Sequence, residues 1–269
     1  MPELPEVETT KNGLLPLIKH QVVLKSIRHR DNLRWEMPAH LATTLANQVI
    51  LDIHRRGKYL LIRFEVGTLI IHLGMSGSIK VINSNEPLLK HDHFELLLKN
   101  GQSMRLNDPR RFGAVLFSKD NSHPLLDSLG VEPLEADFDD QFLYTRSRNK
   151  QQNIKAFIMD SKVVVGVGNI YACESLFACG IDPQRKAGSI SKKRYQALTQ
   201  HIKNILTMAI KAGGTTLQDF SQVDGSPGYF TQTLSVYGRE GKPCNTCNGK
   251  ISRTIQNQRS TFYCKFCQS

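Results

Sequence analysis

Four cysteines near the end of the chain, Cys244-x2-Cys247-x16-Cys264-x2-Cys267, constrain the fold more than any other feature. A segment this short cannot bury enough apolar surface to hold a core by itself. Two Cys-x-x-Cys knuckles at this separation can place four thiolates in a tetrahedron, which matches soft sulfur to zinc. All four positions are then filled by protein, so the ion is structural and activates no water. Iron at the same ligands and four free cysteines are the alternatives. Lys250, Arg253, Arg259 and Phe262 lie between the knuckles, so the hairpin presents cations. The remaining cysteines, Cys173 and Cys179, read as small buried apolar residues. At 269 residues the chain has room for two modest domains besides the hairpin.

Formal charge is +11, with pI about 9.4. It is uneven: residues 151–269 hold 15 basic and 6 acidic side chains, against 20 and 18 in residues 1–150. Such an excess points to a polyanionic partner, with solubility alone as the bland alternative. The acidic run Asp127–Asp140 is expected to lie away from a polyanion, as a solvated surface or an interdomain linker. No stretch reaches membrane-spanning length, and the first residues are acidic with two prolines, unlike a signal peptide. A soluble, cytoplasmic protein with reduced thiols is expected.

Eight short runs read as strands: Val22–His29, Val49–His54, Tyr59–Phe64, Thr68–Leu73, Ser78–Ile82, Phe94–Leu98, Ser103–Leu106 and Ala114–Phe117. Their spacing predicts a β-sandwich. Past Pro133 the period turns helical, over Phe142–Arg148, Ile154–Met159, Ile170–Cys179 and Ser191–Ala212, the last ended by Gly213-Gly214. The stretch Gly213–Phe230, with four glycines and Pro227, reads as flexible. The fold class is α+β, with expected domains at 1–132, 133–234 (carrying the loop 213–230) and 235–269.

Met1-Pro2-Glu3-Leu4-Pro5-Glu6 opens the chain. A small second residue favours removal of Met1, which leaves Pro2 with a free secondary amine. A terminal amine has a pKa of roughly 7.7–8.0 and is partly neutral near pH 7, whereas lysine is almost wholly charged. Attack on a sugar C1′ would give an iminium ion, the electron sink of Schiff-base catalysis, with Glu3 and Glu6 in reach for proton transfer. The bland reading is a capped amphipathic helix carrying Leu4, Val7, Lys11, Leu14 and Ile18 at helical spacing. The two are compatible.

Val163–Ile170 contains Gly166-Val167-Gly168-Asn169, which is either a nest of N–H donors for a phosphate or an ordinary tight turn. Four further clusters are Arg55-Arg56-Gly57-Lys58, His72-Leu73-Gly74-Met75, His91-Asp92-His93 and Asp108–Gly113. Singly each is an ordinary surface or core group. Together they supply cations for phosphates and two apolar wedges, Met75 and Phe112, of the sort that fill the gap left by an extruded base.

In this order, PELPEVET, RRGKYL, HLGMSG, KHDH, NDPRRFG, GVGNIYA, GGTTLQDF, SPGYF, VYGR and QRSTFYC resemble the bacterial formamidopyrimidine-DNA glycosylase (8-oxoguanine-DNA glycosylase) family over essentially the whole chain. The resemblance implies an N-terminal β-sandwich, a helix-two-turn-helix domain and a zinc hairpin, with DNA in the cleft between domains. It implies a monomeric glycosylase and AP lyase that removes oxidised purines from duplex DNA in a bacterial, nucleoid-associated setting. Pro2 would be the nucleophile, Glu3 the proton donor for base release, Lys58 that for β-elimination and Arg259 that for δ-elimination. Glu6 would orient the terminus. His72, His91, Arg110, Asn169 and Tyr237 would contact DNA. Met75, Arg110 and Phe112 would fill the void, with Arg110 on the orphaned cytosine. Residues Thr215–Tyr229 would cap the lesion. Gln151 departs from a position that is often basic in the family, with Lys150 as its substitute. The rival enzyme is an endonuclease VIII-like relative acting on oxidised pyrimidines, which typically opens PEGPE. The non-enzyme rival is a zinc-ribbon DNA-binding protein.

Overall fold

The computed structural model describes residues 2–120, 122–215, 223–226 and 228–269. They form two compact units: Met1–Asp127 with Ala212–Tyr229, and Ser128–Lys211 with Phe230–Ser269.

The first unit is a sandwich of two antiparallel four-stranded sheets. Its strands are β1 (Val23–Arg28), β2 (Asp52–Arg56), β3 (Tyr59–Phe64), β4 (Gly67–His72), β5 (Ser78–Asn83), β6 (Asp92–Leu98), β7 (Gln102–Asn107) and β8 (Ala114–Ser118), in the orders β1-β6-β7-β5 and β2-β3-β4-β8. Helix α1 (Leu4–Ile18) opens the unit; α2 (Leu41–Leu45) and α3 (Pro124–Asp127) are short. Inward residues of both sheets, among them Leu60, Ile62, Leu69, Phe94, Leu96 and Leu106, share one core with Val7, Leu14 and Ile18 of α1.

α1 begins where the sequence says it should. Glu3 and Glu6 form a reciprocal capping box and a proline sits in the first turn, so the unpaired N–H groups of the helix start are served. Lys11 is half-buried and pairs with Glu8. Strand β2 starts three residues later than expected. Val49 bridges Val22 and the Ile50 N–H donates to the Gln21 carbonyl, while the hairpin register pairs Arg56 with Tyr59 and draws Arg55-Arg56 into the strand.

A buried polar cluster fixes the loop before β6. The Arg105 Nε donates to Glu95 at 2.9 Å, and its other nitrogens reach the carbonyls of Ser84, Glu86 and Pro87. Desolvation alone would raise the Glu95 carboxyl, but bonds from Ser103, Arg105 and His29 hold it below its usual range.

The second unit contains α4 (Asp140–Ser147), α5 (Ile154–Met159), α6 (Asn169–Ala178), α7 (Lys192–Lys211) and a hairpin of β9 (Ile251–Gln256) and β10 (Arg259–Cys264). Asp139 and Asn153 cap α4 and α5 by accepting from the N–H groups of Phe142 and Ala156. The acidic run is solvated as expected: Asp127, Glu135, Asp137 and Asp139 are exposed, though Phe138 among them is buried. Cys173 is buried, but Cys179 at the C-cap of α6 is only half-buried, with its thiol pushed up to about 12 by desolvation. Among the described residues no helix is long and apolar enough to cross a membrane.

Candidate functional site

In the first unit, α1 is the frame on which the N-terminal residues and the Lys58 turn are set. Pro2, Glu3 and Glu6 are all buried, the two glutamates at 1% exposure. The Glu3 N–H donates to one Glu6 oxygen at 2.8 Å, and the Thr215 N–H to the other at 2.8 Å. Lys58 occupies the two-residue Gly57-Lys58 turn between β2 and β3, where Gly57 has φ +56°, a conformation that favours glycine at the first position of such a turn. Arg55 ties this turn to α1: its Nε donates to Glu8 at 2.7 Å and its Nη1 to the Gly57 carbonyl at 3.1 Å. Desolvation opposes ionisation of Glu8, yet bonds from Lys11 and Arg55 keep its carboxyl below the normal range.

His72 lies across the β3–β4 register from Tyr59, with ring centroids 4.8 Å apart. Burial, then the charges of Lys58 and Arg34, lower its pKa to about 4, so the ring is neutral at pH 7. The Gly74 N–H donates to Nδ1 at 2.9 Å, which leaves the proton on Nε2, a fixed donor.

Met75, Arg110 and Phe112 come from two loops stitched together. The Asp108 carboxylate, fully buried, accepts from the Ser76 hydroxyl at 2.7 Å and from the Gly113 N–H at 2.8 Å. Ser76 in turn accepts from the Arg110 N–H at 3.0 Å. Gly74, at φ +64°, passes so close that a Cβ there would stand 2.4 Å from the Gly113 nitrogen. The Arg110 guanidinium lies 5.3 Å over the Phe112 ring, and both side chains are exposed. Met75 and His91 are half-buried; the Asp108 N–H donates to the His91 carbonyl at 3.0 Å.

In the second unit, Gly168 caps α6 and Asn169 is its first residue. The Asn169 Nδ2 donates to the Ser260 carbonyl at 2.9 Å and lies 3.5 Å from the Tyr237 hydroxyl. Lys155, 2% exposed, donates to the same carbonyl at 3.2 Å and to the Thr261 hydroxyl at 2.7 Å. Arg259 is exposed at the start of β10, after an Asn257-Gln258 turn with φ +47° and +60°. It borders a hollow of about 280 Å³ that Lys155, Asp160 and Gln256 also line. Tyr237 is held by Glu174, whose carboxylate accepts from the N–H groups of Ser235, Val236 and Tyr237 at 2.8–2.9 Å. Burial still keeps the Glu174 carboxyl above its ordinary value. Lys150 is exposed. Of the expected capping residues, 216–222 and 227 lie outside the described residues.

The four cysteine sulfurs lie within 4.8 Å of one another, with Cys244–Cys267 at 3.8 Å and Cys247–Cys264 at 3.5 Å. A zinc tetrahedron with bonds of about 2.3 Å has edges of roughly 3.8 Å, so the sulfurs are spaced for one ion.

Sequence reasoning named Glu6 but missed other groups that hold the site. Glu174 left a signal as the one charged residue in the apolar run from Ile170 to Ile181, and Arg105, Glu95 and Asp108 left none that local pattern could reveal.

Three family profiles match the chain: the formamidopyrimidine-DNA glycosylase N-terminal domain over residues 1–115, the H2TH domain of that glycosylase over 129–221, and a zinc finger found in FPG and IleRS over 241–269. With the sulfur geometry, the last makes the four cysteines the ligands of one structural zinc ion. A formamidopyrimidine-DNA glycosylase of Vesicomyosocius okutanii is 74% identical over 269 residues, and one of Ruthia magnifica is 72% identical, with both chains of each pair covered completely. Among solved structures, the MutM (Fpg) protein of Thermus thermophilus superposes with a TM-score of 0.89 at 37% identity, covering 99% of this chain and 98% of that one. The Lactococcus lactis Fpg in complex with DNA containing an abasic site gives 0.93 at 30% identity, with 99% of each chain covered. The chain belongs to the formamidopyrimidine-DNA glycosylase family.

Proposed function

We propose that this protein is a base excision repair enzyme that removes oxidised purines from duplex DNA and then cuts the strand at the abasic site. The observation that carries the reading is the convergence on α1, where Pro2 and Glu3 are buried at the helix start and the Lys58 turn is tied to the same helix through Arg55 and Glu8. Membership of the family, and relatives solved with Fapy-dG and abasic-site DNA, support the substrate class.

Once Met1 is removed, the Pro2 nitrogen attacks C1′ of the damaged nucleotide. The C1′–N bond breaks, the base leaves with a proton, and Glu3 is the donor for sugar-ring opening and base release. The resulting iminium ion acidifies C2′, so a proton is lost there and the 3′ phosphate departs by β-elimination, with Lys58 as the proton-transfer group. Arg259 serves the second elimination, which releases the 5′ phosphate. Hydrolysis of the iminium ion by water restores the Pro2 amine and releases the sugar remnant as an aldehyde. His91, Arg110, Asn169, Lys150, His72 and Tyr237 hold the DNA, and Met75 and Phe112 occupy the vacated stack. The zinc ion holds the hairpin that carries Arg259 and takes no part in bond making. The enzyme acts as a monomer in the cytoplasm.

Intact mass measurement followed by borohydride reduction on an 8-oxoguanine duplex tests this. A covalent adduct from processed protein, lost on Pro2→Gly, is expected; no adduct from protein lacking Met1 would overturn the reading. Faster excision of thymine glycol than of 8-oxoguanine would instead favour the endonuclease VIII-like assignment.

A further inference from the structure

The loop between β1 and α2 turns two side chains outward beside the candidate site. Leu33 and Met37 of this loop are buried in the sandwich core, and the Leu33 N–H donates to the Trp35 carbonyl at 3.0 Å, which closes a tight turn. Arg34 and Trp35 in that turn are left exposed, with the guanidinium carbon 4.6 Å from the Trp35 ring centre. Among the described residues no carboxylate pairs with Arg34. Stacking on an aromatic face leaves the N–H groups at the guanidinium edge and restricts its rotamers, so an incoming anion has less side-chain freedom to freeze. The turn is also bonded to the wedge loop. The Arg34 N–H donates to the Gly113 carbonyl at 3.0 Å, and Gly113 passes so near β4 that a Cβ on it would stand 2.8 Å from the His72 carbonyl oxygen. His72 pairs with Ala114 on one side and on the other with Tyr59, the residue after Lys58. Lys58, His72 and Arg34 therefore gather at one end of the sheet β2-β3-β4-β8. The Arg34 charge acts on both rings there: burial, then Lys58 and Arg34 lower the His72 pKa, and burial raises that of the Tyr59 hydroxyl while Arg34 opposes it.

We propose that Arg34, propped on Trp35, is a further binding residue for a backbone phosphate of the DNA, beside the groups that Lys58 and His72 supply. The inference deepens the proposed function and rests on that reading. Three donors of different kinds then share one stretch of backbone. Lys58 is a point charge, His72 a fixed neutral Nε2–H, and Arg34 a planar fork that meets two oxygens of one phosphate. Trp35 contributes by holding the fork, not by touching the lesion.

Equilibrium binding to an 8-oxoguanine duplex over a range of salt concentrations tests this, with melting temperature as the control for folding. Arg34→Ala is expected to weaken binding about tenfold and to lower the log–log salt slope by about 0.9. Arg34→Gln, which keeps an apolar stem over Trp35 without the charge, should lower the slope equally. Arg34→Lys keeps the charge but not the fork, so the slope should match wild type while affinity falls about threefold. Trp35→Leu should behave like Arg34→Lys, because it removes only the aromatic face. Trp35 is the sole tryptophan of the sequence, so its emission reports this turn alone, and its quenching by iodide should fall when saturating duplex is added. A wild-type slope for both Arg34→Ala and Arg34→Gln, whatever their affinity, would reduce Arg34 to a brace for the loop and overturn the proposal. Iodide quenching unmoved by DNA would overturn it as well. A wild-type enzyme that forms no borohydride adduct would overturn the proposed function itself; an adduct together with unaltered slopes would overturn the Arg34 assignment alone.

Discussion

The two units place their candidate functional side chains by different physical means. In the first, Pro2, Glu3 and the Lys58 turn are set by a helix packed into a large sandwich core, with hydrogen bonds accepted by Glu6, Glu8 and Asp108, the Glu8 bond donated by Arg55, fixing each loop. In the second, Arg259 is exposed on a two-stranded hairpin that a zinc ion and a few bonds to α5 and α6 hold in place. Under the proposed mechanism the attack on C1′ and the β-elimination fall to the first unit, and only the δ-elimination falls to Arg259 in the second. Long-range attraction to phosphates tolerates exposure, which suits exposed cations such as Lys150 and Arg259.

The contrast can be broken most forcefully at the terminus. Pro2→Gly, or acetylation of the processed amine, should lower excision by on the order of 10⁴-fold while leaving DNA affinity nearly intact, as read by single-turnover kinetics beside a binding titration. Equal losses in both would erase the distinction between the units. Cys244→Ser should next release the zinc, unfold the hairpin and weaken DNA binding by about a hundredfold. Zinc content and proteolysis would report it, and cleavage within residues 1–127 would contradict the independence of the two units.

Asp108→Ala should cost about 3 kcal/mol of stability, because it strands the buried Gly113 N–H and the Ser76 hydroxyl. A melting temperature within two degrees or so of wild type would remove Asp108 as the stitch between the wedge loops. A smaller effect follows from His72. Its folded pKa, about 4, lies below the roughly 6.5 of an exposed histidine, so its contribution to stability is complete above pH 6.5 and is lost as pH falls towards 4. His72→Gln should flatten the acid limb of the melting profile over that window, and an unchanged limb would sink the assignment. Smallest of all, Lys150→Ala should reduce the salt dependence of DNA binding by about 0.9 in log–log slope, with excision at saturating DNA untouched.

The positions of all eight strands and the four longer helices after Pro133 could be read from residue pattern, because burial against a core imposes periods of two and 3.6. Ile154–Met159 and Tyr59–Phe64 agree to the residue. The short α2 escaped: five residues carrying two threonines show no helical period, and tertiary packing of Leu41 and Leu45 decides it. The opening residues exposed Pro2 and the cysteine spacing exposed the zinc ligands, while the family motifs supplied the candidate role of Lys58. Pairings between distant segments stayed hidden, since nothing near Asp108 in the chain announces that Ser76, 32 residues earlier, donates to it.

The first unit is discontinuous in the chain, since it takes in Ala212–Tyr229 after the whole of α4 to α7 has intervened. On the ribosome, where synthesis runs at roughly 5–20 residues per second, the sandwich can close early, but Glu6 must wait for Thr215 to emerge. A nascent polypeptide therefore carries its N-terminus in an unfinished mount for roughly 10–40 seconds. The first unit becomes fully organised only late in translation, after α4 to α7 have been made.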